Sequence, residues 1–89
     1  MAITAGMKVE NSISHTNPDP EKFLKLGIMY STGNQVPDDR VAAHKWFNLA
    51  GMRGNSEAVR LRCELASEMS SAEIVAAQRA ARDEWLTRH

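Results

Sequence analysis

The side chains of this sequence best placed to do chemistry are the thiol of Cys63 and the imidazole of His44. A nucleophilic cysteine needs a base within reach and an electropositive setting that favours the thiolate. Arg60 and Arg62 are near Cys63 in sequence, but no carboxylate–histidine pair is arranged around it. Cys63 falls between the apolar positions Leu61 and Leu65, which points to a packed or half-packed thiol. His44 lacks fellow metal ligands, because His15 lies in an irregular N-terminal stretch and His89 is the last residue. A structural zinc takes about four ligands, so His44 is expected as a partly exposed histidine on a helix surface. The adjacent Asp38 and Asp39 suit the start of a helix, where a carboxylate caps free N–H groups and meets the positive end of the dipole. The glycines form neither G-x-x-x-x-G-K-[ST] nor G-x-G-x-x-G, so no phosphate cradle is encoded.

The chain around these residues is 89 residues long, enough for one domain and too short for two independent cores. Such a domain buries only about 60% of its unfolded surface, which leaves little stability for shaping a deep catalytic cleft. Eleven Lys and Arg balance eleven Asp and Glu. A neutral chain lacks the electrostatic footprint of a phosphate-backbone binder, so nucleic acid is not an expected partner. The arginines Arg60, Arg62, Arg79, Arg82 and Arg88 are offset by Glu57, Glu64, Glu68, Glu73, Asp83 and Glu84, as on a solvated mixed surface. A single cysteine can form neither an internal disulfide nor a zinc site, which fits a reducing compartment. No apolar run approaches the ~18 residues of a membrane span, and the segment after Gly6 is too polar for a signal peptide. A cytoplasmic location without membrane insertion is expected.

The elements that must position these groups are helices. Residues 1–17 show neither helical nor strand periodicity and read as an N-terminal arm. A first helix, about residues 20–32, follows Pro18-Asp19-Pro20 and lines up Phe23, Leu26, Gly27 and Tyr30 on one face. Gly33-Asn34 stops it. The second, about 39–53, repeats the spacing with Ala43, Trp46, Phe47 and Ala50. The third, about 56–69, carries Ala58, Leu61, Leu65 and Met69. Ser70-Ser71-Ala72-Glu73 is a capping box opening a fourth helix, about 71–87, with Ile74, Ala77, Ala81 and Trp85. The fold class is all-α, as two consecutive αα-hairpins. Small residues at Gly27, Ala43, Ala50, Ala58 and Ala77 allow close helix crossings, with Trp46 and Tyr30 filling the flanks.

The residues from Lys22 to Ala58 resemble one Sel-1-like repeat. The resemblance rests on Leu26-Gly27, Tyr30, Gly33 and Val36 with Asp39, then Ala43, Trp46 and Ala50, then Gly54 and Ala58. Gln35 stands where the pattern has its second loop glycine, Gly51 replaces the second alanine of a pair, and Lys22 replaces a starting alanine. A second full repeat is absent. Residues 62–85 look like the tail that often follows the last such repeat in small bacterial proteins. The resemblance implies a right-handed tetratricopeptide-like solenoid unit over residues 18–58. Residues 59–89 would complete a helical hairpin and act as the capping segment. Proteins of this family serve mainly as adaptors and scaffolds, and few are enzymes.

A repeat needs neighbours to bury its apolar faces. The fourth helix can cap one end, and nothing evident caps the other. Leu24, Ile28 and Met29, flanked by Lys22 and Lys25, lie beside the core face of the first helix and mark a candidate protein-contact surface. Either a partner covers it, with a second copy of the chain as one variant, or the N-terminal arm folds back with Ile3, Met7 and Val9. The function expected is a non-enzymatic module that binds another protein or a peptide through a helix face, without a cofactor. A regulatory or enzymatic fragment using Cys63 or His44 is the alternative, and a nucleic-acid-binding regulator is disfavoured by the charge balance.

Overall fold

A computed structural model describes residues 19–88. The N-terminal arm, with His15, and the terminal His89 lie outside the described residues. Four helices follow one another: α1 (Pro20–Thr32), α2 (Arg40–Met52), α3 (Ser56–Ala66) and α4 (Ser71–Arg88). No strand occurs among the described residues, so the all-α expectation holds.

Each helix start is encoded locally. Asp19 accepts from the Glu21 N–H at 3.0 Å, with Pro20 in the first turn where a missing N–H costs nothing. Asp39 accepts from Ala42 at 3.1 Å and Asn55 from Ala58 at 2.8 Å. The capping box forms reciprocally: Glu73 Oε1 accepts from the Ser70 N–H at 2.9 Å, and Ser70 Oγ from the Glu73 N–H at 3.1 Å. At the other end of α1, Gly33 turns left-handed (φ 73°) and its N–H returns to the Met29 carbonyl at 2.9 Å. The α1–α2 loop then closes when the Asp39 N–H donates to the Tyr30 carbonyl at 2.9 Å. Gln35 within it also holds a positive φ of 72°.

Helix α3 ends at Ala66, three residues before the end expected at Met69. The Ser67 hydroxyl donates to the Glu64 carbonyl at 2.6 Å. Glu68 and Met69 then donate to Leu65 and Ala66 in tight i→i−3 turns.

Helix α2 is the common partner, since backbones run closely alongside one another only where α2 is one of the two helices. Asp39 bonds back to Tyr30 at one end, and Trp46 stacks on Phe23 at the other, so α2 returns antiparallel to α1. Its contacts with α3 join Asn48 to Arg62 and place Gly51 beside Val59, again antiparallel. Arg40, Lys45 and Arg53 meet Glu73, Glu84 and Trp85 in that order, so α4 runs parallel to α2.

The core contains Phe23 of α1, Ala43, Phe47, Leu49 and Ala50 of α2, Ala58 of α3 and Ala81 of α4. Burying Phe47 and Leu49 contributes about 1.5–3 kcal/mol each. The alanines contribute mainly by letting the axes close up, and Ala43, Ala50, Ala58 and Ala77 are all fully enclosed. Gly27 is the tightest of these positions: a Cβ built there would run into the Phe47 ring. Around this core, Trp46 stacks on Phe23 with centroids 5.4 Å apart. Lys45 Nζ sits 4.1 Å from the Trp46 centroid and 3.3 Å from Glu84 Oε1, which ties α1, α2 and α4 together.

Gly27→Ala is expected to lower stability by about 1–3 kcal/mol, because overpacking outweighs the better helix propensity of alanine. The urea midpoint should fall with an unchanged slope. A midpoint equal to the parent's, or above it, would mean that α1 and α2 can part without cost.

Candidate functional site

Helix α1 presents the candidate contact residues in different settings. Lys22 and Lys25 are exposed, Met29 is half-buried, and Leu24 is half-buried against the core. Ile28 is 41% exposed and opens onto a groove of about 430 Å³ between α1 and α3. Phe47 of α2 lies at its floor, and Leu61 and Leu65 of α3 form the apolar opposite wall. Sequence spacing singles out Ile28 but sets it beside Lys22 and Lys25. The fold instead brings it across from Leu61 and Leu65.

The polar rim is one-sided in sign. Glu57 and Glu64 of α3 and Glu68 of the turn that follows it line it, facing Ser31 and Thr32 of α1. Both hydroxyls donate back to the Ile28 carbonyl, at 3.0 and 2.8 Å, so they face the groove as acceptors. Arg60 pairs with Glu57 and, at 2.7 Å, with Glu64, and these carboxylates hold its guanidinium above its ordinary pKa. All three partners are exposed, so solvent screens the pairs heavily. Glu68 accepts from Arg40 at its backbone carbonyl, 2.8 Å away. No ion pair involves its carboxylate among the described residues.

The two reactive side chains depart from expectation. Cys63 is exposed, not packed between Leu61 and Leu65. Those leucines turn to the core while the residue between their turns faces water, as helical geometry requires. His44 is buried at 3% exposure, not on the surface. The reason is that α2 is covered by three helices, so its buried arc is wider than the Ala43–Phe47–Ala50 stripe. Leu49, at 1% exposure, is enclosed for the same reason. The His44 Nδ1 makes no hydrogen bond among the described residues. Asp39 is occupied as the α2 cap, and Asp38 is exposed beside it. Among the described residues, no three of His, Cys, Asp and Glu converge on a possible metal position, and no helix is long and apolar enough to cross a membrane.

A second depression, of about 330 Å³, runs along α4 beside Val75, Gln78, Arg79 and Arg82. It borders these residues of a single helix, whereas the α1–α3 groove draws residues from three. No protein-family model, no curated protein and no solved structure matches this chain. The groove and its chemistry therefore carry the functional reading.

Burial lowers the His44 pKa below 6.5, and the charge of Arg62 lowers it further, against a smaller opposing effect of its own backbone. The unfolded chain thus binds this proton more readily than the native one. The His44 contribution to stability is fully present above pH 6.5 and is lost as the pH falls from there through the lower native pKa. His44→Leu is expected to flatten the pH dependence of the urea midpoint just below 6.5. An unchanged slope would show that His44 is not the titrating group.

Proposed function

We propose that this chain is a non-enzymatic interaction module, cytoplasmic and built as a Sel-1-like repeat unit, which binds another protein or a peptide across the α1–α3 groove. The observation that carries this reading is the open apolar cleft between Ile28 on one side and Leu61 and Leu65 on the other, floored by Phe47. An apolar cleft with a polar rim is what helix-face recognition uses: buried anchors give affinity and rim charges give selectivity.

Two features support the repeat reading. Helices α1 and α3 both run antiparallel to α2 while α4 runs parallel to it, the alternation of direction found along a helical repeat; the expected second αα-hairpin is not tightly closed, because α4 lies along α2 and not closely along α3. Gln35 takes a left-handed backbone where the Sel-1-like pattern carries glycine, so the loop keeps the glycine conformation without the glycine. That conformation costs a non-glycine residue roughly 1–2 kcal/mol. Neither His44 nor Cys63 enters this function: one is enclosed without a partner at Nδ1 and the other points outward.

A photo-crosslinking residue placed at Ile28 in the full chain, inside cells, is expected to give a discrete covalent protein adduct. The same residue at Lys25, outside the groove, should give none. An adduct from Lys25 alone would move the docking face to the outside of α1, and no adduct from either would remove the interaction reading.

A further inference from the structure

We propose that the occupant of this groove is a basic amphipathic segment of another protein, bearing apolar side chains flanked by lysine or arginine; this rests on the interaction reading above. The apolar part of that statement follows from Ile28, Leu61 and Leu65, which leave room for side chains but offer no polar anchor. The basic part follows from the rim. Its side chains are carboxylates from α3 and the turn after it, and hydroxyl groups from α1 whose protons are already given to the Ile28 carbonyl. The rim therefore offers acceptors and net negative charge. A partner rich in donors and positive charge fits it, and an acidic partner would meet like charge at Glu57, Glu64 and Glu68.

Arg60 is the chain's own cation at this edge and shows how the rim is satisfied without a partner. Its guanidinium spans Glu57 and Glu64 along the surface of α3, one helical turn on either side. Those pairs are solvent-exposed and exchange readily for a cation brought by a ligand. Glu68 extends the acidic edge by another turn, and its carboxylate has no ion pair among the described residues. Arg40 lies near that end, bonded to the Glu68 carbonyl and paired with Glu73 at 3.9 Å, so the groove's acidic reach is bounded there. The geometry defines a strip of negative charge along one wall of an apolar cleft.

The test uses the full chain and two synthetic helical peptides of identical apolar pattern, one carrying lysine at every polar position and the other glutamate. Binding is read by fluorescence anisotropy at low and high salt. The lysine peptide should bind about tenfold or more tightly than the glutamate peptide and weaken as salt rises. The triple variant Glu57→Gln, Glu64→Gln, Glu68→Gln should weaken it by about tenfold. Arg60→Gln should act in the opposite direction and tighten it, a change that loss of folding cannot mimic. Equal binding of both peptides, preference for the glutamate peptide, no binding of either, or weaker binding by Arg60→Gln would each overturn the basic-partner inference. The interaction reading would still stand in those cases if crosslinking from Ile28 gave its adduct. An adduct with twice the mass of the chain would identify a second copy as the occupant and overturn the inference as well.

Discussion

The Phe47 ring occupies the space that a methyl group on residue 27 would need, and most of the structure follows from that contact. It sets how near α1 comes to α2, and alanines at 43, 50, 58, 77 and 81 keep the neighbouring side chains equally short. Few large side chains are fully buried, so close backbone approach and dispersion between packed surfaces replace bulk as the source of cohesion. Larger groups act at the edges. Phe23, Trp46, Lys45 and Glu84 form a run of stacking, cation–π and ion-pair contacts that crosses from α1 over α2 to α4. Arg53 beside Trp85, at 4.9 Å, repeats the device farther along.

The same arrangement produces the groove. Because α1 and α3 both lie against α2 and not closely against each other, a valley remains between them. Phe47 is at once the ring over Gly27 and the floor of that valley. A side chain that fixes the helix spacing therefore also fixes the depth of the proposed docking surface. The valley's polarity is a separate matter, decided by Glu57 and Glu64 of α3 and Glu68 just beyond its end.

Much of this architecture is legible in the sequence. Repeated i, i+3, i+4, i+7 spacing marks the buried stripes of α1 and α2, and the capping candidates Asp38 or Asp39 and Ser70 mark where helices begin. What a periodicity cannot convey is how many neighbours a helix has. Helix α2 has three, so His44 and Leu49 are enclosed although they fall off its main stripe. Helix α3 has a close backbone partner in α2 alone, so Cys63 is left facing outward between two leucines that turn inward. For the candidate site, Ile28 stands out in sequence as an apolar residue beside the core face. Its partnership with Leu61 and Leu65 is a tertiary fact, as is the acidic rim, because Glu57, Glu64 and Glu68 read in sequence only as a solvated helix surface. The early stop of α3 is set by a serine hydroxyl competing for a helix carbonyl, a local choice that propensity alone does not decide.

Native-state hydrogen exchange tests the central role of α2 most directly. If that helix is the shared core, amides from Ala43 to Ala50 should exchange only through global unfolding, with the denaturant dependence of the whole chain, and should outlast those of α1, α3 and α4. Amides of α2 that open while another helix stays protected would contradict the account.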